Sequence, residues 1–236
     1  MPTGHDYCEF ENTQIYDMET VKENLQEDFN IDKISYSTED KTFDFHELAT
    51  KIMNHYCISN GQYHYYPIEI EFYVYINGKH EDHHVYPRDN KNNGDLFFHY
   101  SGIDICFESS LQNGSFGGAL IRALERIEKD KNGNILYYGG PLVCVNEILN
   151  TAKRECSLEE IHRPGKEVNA EKYGQRVGIK AIKNIEDNYF DREYRFVRED
   201  VLDNKKIIFA SKNSYNFKKH SHAKKPSSYK IEKYKP

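Results

Sequence analysis

The sequence predicts an α+β domain, and three observations carry that expectation. Strand-like and helix-like stretches are mixed without a regular βαβ alternation. Two neighbouring strand-like stretches, Gly94–Glu108 and Gly117–Glu125, are joined by a polar, glycine-bearing loop over Ser109–Phe116 and read as partners. A length of 236 residues supports one sizeable domain without forcing a second. The hydrophobic fraction is 38% with no Trp, but there are 19 Tyr and 13 Phe. The core and any stacking surface must therefore be built from Tyr and Phe.

The elements follow in order. Residues 1–40 form an acidic, weakly patterned N-terminal segment with a short helix over Met18–Phe29. From Phe45 to Tyr56, apolar residues at 45, 48, 49, 52, 53 and 56 have helical spacing, with Asp44 as N-cap and Asn60-Gly61 as the stop. Ile68–Ile76 is a strand that alternates apolar residues with carboxylates. Asn77-Gly78 turns it into a histidine-rich loop over Lys79–Asn93. Paired strands occupy 95–108 and 117–127, and Lys131-Asn-Gly133 forms a hairpin turn. Gly140-Pro141 opens a helix over Val143–Lys153, and Leu158–Ile161 is a short helical turn. Strands near 175–182 and 194–198 close the domain, giving a body over 41–210 and a tail over 211–236.

Charge divides the protein the same way. Eight lysines in the tail, Lys218, Lys219, Lys224 and Lys225 among them, face a single glutamate, a net of about +7. The net charge of the whole sequence is −6, so residues 1–210 carry about −13. A basic arm with Ser, Pro and His reads as a flexible tail that grips nucleic-acid phosphates, releasing counterions, or as a solvated tail. Nothing approaches 18 consecutive apolar residues, and the start of the sequence lacks a basic-then-apolar pattern, so a soluble cytoplasmic monomer away from membranes is expected. Five widely spaced cysteines without a CxxC read as free thiols in a reducing compartment.

Arg122 interrupts an otherwise apolar strand. A guanidinium left unpaired in a core costs several kcal/mol or more. It therefore needs a carboxylate, a bound anion or a water, and the run Ile68-Glu-Ile-Glu71-Phe-Tyr73 supplies matching carboxylates. His80-Glu-Asp-His-His84 satisfies an H-E-x-x-H pattern, but it follows an Asn-Gly turn, precedes Pro87 and has no helical apolar period. No metal is expected there or at His220/His222, and no organic cofactor is called for. Gly114–Gly118 lacks the Lys-Ser/Thr of a phosphate loop and reads as a turn.

Several short segments in the same order resemble the methylpurine (3-methyladenine) DNA glycosylases. Glu69-Ile-Glu71-Phe-Tyr73, with His83 or His84 after it, is similar to the family's Glu-Thr-Glu-Ala-Tyr strand and following histidine. Ser101-Gly102 and Leu120-Ile-Arg122-Ala-Leu-Glu125 resemble its Tyr-Gly turn and Leu-Leu-Arg-Ala-Leu-Glu strand. Gly140-Pro141, Arg176-Val-Gly-Ile179 and Arg192–Val197 resemble its later elements. Together these cover roughly residues 43–200.

The resemblance implies a single α+β domain with a curved antiparallel sheet flanked by helices. It also implies metal-free hydrolysis of a base–sugar N-glycosidic bond, with DNA the expected partner. An enzyme of this kind extrudes a nucleotide and holds the base between aromatic faces. Glu71 aligns with the catalytic glutamate that activates water, Arg122 with the arginine that positions the water, and the backbone carbonyl near Val177 with a third water ligand. Tyr73 and Phe98 or His99 fall where the family stacks aromatics, and His84 or His83 where it contacts the flipped nucleotide. Ser101 replaces the tyrosine that fills the vacated stack, which implies a preference for unpaired substrate. Glu108 replaces the asparagine that rejects guanine's amino group, which implies preference for a base bearing an exocyclic amine. The alternatives are the same chemistry on single-stranded or modified nucleic acid or on free nucleotides, and a catalytically silent nucleic-acid-binding domain.

Overall fold

The spine of the molecule is a pair of long antiparallel strands, β4 (His64–Ile76) and β8 (Ser115–Arg126). This computed structural model describes residues 24–185 and 189–203. The remaining strands are short: β1 (Tyr36–Ser37), β2 (Thr42–Phe43), β3 (Tyr56–Ser59), β5 (His80–Glu81), β6 (Leu96–His99), β7 (Gly102–Cys106), β9 (Leu136–Gly139), β10 (Ser157–Glu160), β11 (Ala170–Gly174) and β12 (Arg195–Arg198). Helical residues 24–28 and a 3-10 turn (Ile31–Lys33) precede the helices α1 (His46–His55), α2 (Pro141–Thr151) and α3 (Glu199–Asp203). The large sheet runs β10-β3-β4-β8-β7-β6, with β5 and β12 also paired to β4, β9 to β8, and β11 to β12. Every pairing is antiparallel, and the sheet curls, so the architecture is α+β. None of the described helices is long and apolar enough to cross a membrane.

The two faces of the spine differ in chemistry because strand side chains alternate. Ile70, Phe72 and Val74 of β4 and Ala119 and Ile121 of β8 point into one apolar core. The inner stripe of α1 (Leu48, Ala49, Ile52, Met53) and Cys144 and Ile148 of α2 close that core. Phe45 stacks on Phe72 with ring centres 4.1 Å apart, and Phe72 on Phe107 at 6.3 Å. Each such fully buried aliphatic or aromatic side chain contributes about 1.5–3 kcal/mol. Glu69, Glu71, Tyr73 and Asp104 face the other way.

Several sequence expectations need correction. Asp44 Oδ1 accepts the His46 N–H at 3.1 Å, but the N-cap position falls to Phe45, which makes no side-chain capping bond, and the helix ends at His55 and leads straight into β3. Asn60-Gly61 is instead the turn of the β3–β4 hairpin, tied to α2 by Asn60 Nδ2 donating to Ile148 O at 2.9 Å. The 95–108 stretch is not one strand but a hairpin, folded back at Tyr100-Ser101. Leu158–Ile161 is no helical turn, because edge strand β10 gains ladder partners on β3. The strand expected near 175–182 lies earlier, as β11, and pairs with β12. Lys131-Asn-Gly133 lies in the expected β8–β9 connection.

The boundary drawn at residue 40 falls inside the folded body. Phe29 is fully buried against Tyr56, ring centres 5.5 Å apart, and Asp28 accepts the Tyr56 hydroxyl at 2.8 Å. The 18–23 part of the first expected helix, the 211–236 tail with its lysines and His220/His222, and Cys8 lie outside the described residues. Cys57, Cys106 and Cys144 are buried free thiols, and Cys156 is a partly exposed one.

His80 enters the core from β5. Its ring lies 4.1 Å from that of Tyr189 and 5.1 Å from that of Phe43, and burial lowers its pKa to about 4. The unfolded state binds a proton near pH 6.5 that the folded state refuses, so stability falls as pH drops from about 6.5 to about 4. The expected loss is about 3 kcal/mol. His80→Phe should remove this acid-side loss while leaving the neutral-pH unfolding free energy from urea titration within about 1 kcal/mol of wild type. Parallel stability–pH curves for the two proteins would show that His80 is not the titrating group.

Candidate functional site

The second face of the spine carries a buried row of charges. Between β4 and β8 the register slips by one residue at Ile68 and slips back at Arg122. Pro67, with no N–H to give to a ladder, sits beside the first slip. Leu120 pairs with Glu71, so alternation along β8 puts Arg122 on the face of Glu69 and Glu71, and the two compensating irregularities disturb the ladder just beside it. Arg122 Nε donates to Glu69 Oε1 at 3.0 Å, and its NH1 donates to Glu71 Oε2 at 3.1 Å. Arg195 of β12, opposite Glu71 in register, donates Nε to the same Glu69 oxygen at 2.7 Å. Glu69, Glu71, Arg122 and Arg195 are all at least 95% covered. Glu69 thus holds the two arginines, and Arg122 bridges the two carboxylates.

Glu71 has two further donors. The Tyr73 hydroxyl reaches Oε2 at 3.0 Å, and the Val177 N–H reaches Oε1 at 2.7 Å. Burial of the Tyr73 hydroxyl, and then the Glu71 charge, push that phenol well above its ordinary pKa, so it stays a donor. Val177 therefore meets Glu71 through its amide N–H, a contact that the expectation for its carbonyl did not include.

The loop bearing Val177 is anchored from below. Arg176 donates NH1 to Asp82 Oδ2 at 2.5 Å and to Phe72 O at 3.2 Å, and NH2 to Tyr189 O at 2.7 Å. Its guanidinium lies 4.5 Å from the centre of the Tyr73 ring. His84 bonds Asp82 Oδ1 through Nδ1 at 2.9 Å and Lys180 O through Nε2 at 2.7 Å. Burial alone would raise the Asp82 pKa, but hydrogen bonds from His84 and the charge of Arg176 hold it below its ordinary value. The bond to Asp82 is the main cause of a raised pKa at His84.

Strand parity sorts the remaining residues. Asp104 of β7 lies in register with Leu120, and Leu120 with Glu71, so Asp104 shares their face. It accepts from Arg88 at 2.8 Å and bonds His99 Nε2 at 3.2 Å. His99 is thus brought to this face, its ring 5.5 Å from that of Phe97 and 4.9 Å from that of Tyr86. Phe98 is not: one step out of phase, it points to the opposite side with Leu96 and Leu149 along a groove. Phe97 is the aromatic of that strand on the Glu71 face. His83 is exposed beside Tyr75, and His84 has both ring nitrogens occupied within the protein, so its observed part is that of a strut.

Glu108 also departs from expectation. It lies beyond the end of β7 and is exposed, with its N–H bonded to Asn93 Oδ1 at 2.6 Å, so it is no buried carboxylate selecting an amine. Ser101 is half-buried and bonds the Tyr86 hydroxyl at 2.9 Å. Its neighbour Tyr100 stands at the hairpin tip, 75% exposed, with its hydroxyl 2.5 Å from that of Tyr86. Leu142 at the start of α2 is 48% exposed. At Gly102 a Cβ would come within 2.5 Å of Leu120 and 3.2 Å of Pro141, so glycine lets the hairpin pack beside α2. The His80–His84 segment is a short strand and a turn rather than a helix. Among the described residues no cluster of His, Cys, Asp and Glu has metal-binding geometry.

Asp82, Asp104, Tyr86 and Tyr100 are members of this face that sequence pattern alone did not single out. Asp82 was hidden inside the H-E-x-x-H pattern. Tyr100 was legible as the aromatic immediately before the Ser-Gly turn.

Arg122→Met should leave Glu71 with only neutral donors and Glu69 with one arginine. Removing one partner of a buried ion pair costs about 3–5 kcal/mol. Chemical denaturation at pH 7 should show a loss of that size, and a loss under about 1 kcal/mol would mean that the pair is solvated or rearranged.

No protein-family model matches this sequence, and neither does any curated protein.

Proposed function

We propose that the protein hydrolyses a base–sugar N-glycosidic bond in nucleic acid, with Glu71 as the base that activates water and Arg122 as the group that holds that water and Glu71 in place. The single observation carrying this reading is the Glu69–Arg122–Glu71 cluster on the second face of a curled antiparallel sheet. The order of motifs resembling the methylpurine DNA glycosylases supports it, and so do the Tyr73 hydroxyl on Glu71 and the presence of His99, beside Tyr86, on the same sheet face.

The chemistry follows from charge. As the base departs, the sugar gains positive charge, and a carboxylate beside it stabilises that charge and takes a proton from the attacking water. The oxygen of water bonds to the anomeric carbon, the C–N bond breaks, and the base leaves with the bonding electron pair. Glu71 Oε2 is shared by Arg122 and the Tyr73 hydroxyl. A water displacing that hydroxyl would be held between the carboxylate and the guanidinium. Arg122 supplies the opposite charge that a buried carboxylate requires if it is to act as a base.

Tyr100 belongs to the same reading. An exposed aromatic at a hairpin tip can fill a vacated stack, a task the Ser101 hydroxymethyl cannot perform. Unpairing a base costs a few kcal/mol in a duplex and nothing in a single strand. A second reading, the same hydrolysis on unpaired nucleic acid or free nucleotides, is favoured by the charge of about −13 over residues 1–210, which repels a long duplex.

The test is release of free base from duplex DNA, single strands and nucleotides carrying normal and alkylated bases. Glu71→Gln should lower turnover by about 10²-fold or more with little change in binding. Unchanged turnover in that variant removes Glu71 from the mechanism. Tyr100→Ala should lower activity on duplex by about tenfold more than on single strands. Equal losses on both would take Tyr100 out of the stack, and activity confined to single strands or nucleotides would select the second reading.

A further inference from the structure

Both uncharged donors to Glu71 trace back to one buried carboxylate that does not touch the site. Val177 follows Arg176 in sequence, and Tyr73 lies under the Arg176 guanidinium at 4.5 Å. Arg176 in turn is held by Asp82 Oδ2 at 2.5 Å. The other oxygen of Asp82 takes His84, at 2.9 Å, and the far nitrogen of His84 reaches Lys180 O at 2.7 Å. The segment 175–182 has no strand or helix, so no ladder fixes it. Besides the Val177 N–H on Glu71, two pins anchor it, Arg176 and Lys180, and both lead to Asp82, Arg176 directly and Lys180 through His84.

We infer that Asp82 is a positioning residue that, through Arg176 and His84, fixes the 176–180 loop and thereby the Val177 N–H and Tyr73 hydroxyl on Glu71. This rests on the reading of Glu71 as the base. The geometry is specific. Asp82 is fully buried, and it spends one carboxylate oxygen on each pin. Arg176 also donates to Phe72 O and to Tyr189 O, so the guanidinium plane is set by three acceptors. Phe72 lies between Glu71 and Tyr73 in β4, which ties the clamp to the strand that carries the base. A loop free to drift by an ångström would leave Glu71 with different donors, and misplacements of that size cost about 10²-fold in rate.

The experiment compares the full-length protein with Asp82→Asn, Arg176→Lys and His84→Ala by residue-resolved amide hydrogen exchange, alongside base-release kinetics. Loss of a charge-assisted hydrogen bond corresponds to about a tenfold change or more in a local opening equilibrium. The Val177 amide should therefore exchange about tenfold faster in Asp82→Asn and several-fold faster in His84→Ala, roughly as one of two pins lost. Amides of the β4–β8 ladder such as Ile70 and Ile121 should keep their wild-type protection. In the same variants kcat should fall about tenfold or more, with KM within roughly twofold, because the donors act on the base rather than on substrate binding.

Unchanged Val177 exchange in folded variants overturns the inference. So does joint loss of Val177 and β4–β8 protection, which would make Asp82 a general support of the sheet. If Asp82→Asn does not fold, His84→Ala, which leaves the buried Asp82–Arg176 pair intact, decides by the same readout. A wild-type protein that releases no base from any substrate overturns the reading of Glu71, while Val177 exchange still decides whether Asp82 holds the loop.

Discussion

The burial of Glu69, Arg122 and Glu71 between the two longest strands sets what the second face of the sheet must supply. A sheet with two apolar faces would need only packing. Here one face is packed by α1 and α2, while the other buries charge, and each carboxylate it covers calls for donors. That demand reaches far along the sequence. Arg195 of β12 completes Glu69, the Val177 amide and the Tyr73 hydroxyl complete Glu71, and Arg88 with His99 completes Asp104. Loops 82–88 and 176–180, lacking regular structure, are ordered by these bonds.

Such a row is expensive. Buried ion pairs seldom stabilise a fold more than apolar residues of the same shape would, because desolvation offsets their attraction. Another buried pair, Arg198 with Glu125, joined by Asp200, sits at the far end of β8 beside Tyr137 and Val197 and reads as structural. The Glu69–Arg122–Glu71 row differs in its neighbourhood. It lies beneath partly exposed Tyr73 and Val177 and on the same sheet face as His99, whose hairpin ends in exposed Tyr100. Charge is concentrated where a ligand could profit from it.

Much of this was legible in the sequence, for reasons that can be named. An arginine inside Gly117–Glu125 demanded a partner, and the alternation of Glu69 and Glu71 with isoleucines supplied one. The helix over residues 46–55 followed from its apolar spacing. Misreadings cluster where tertiary contacts overrule local pattern. Ser157–Glu160 pairs with β3 despite helix-favouring glutamates, and the 95–108 stretch folds back at Tyr100-Ser101 into a hairpin in which Phe98 pairs with the core residue Ile103, leaving His99 on the Glu71 face. No local signal marks Asp82 as a hub, since its partner Arg176, and Lys180, which its neighbour His84 bonds, lie more than 90 residues away.

The central claim is that this row is kept for chemistry rather than stability. The most direct measurement is chemical denaturation and base release of one variant carrying Glu69→Met, Glu71→Met, Arg122→Met and Arg195→Met together. If the claim holds, the variant is as stable as wild type or more so, by up to about 4 kcal/mol, and releases no base from any substrate that wild type cleaves. A variant that unfolds or loses several kcal/mol would make the row a structural support and contradict the account.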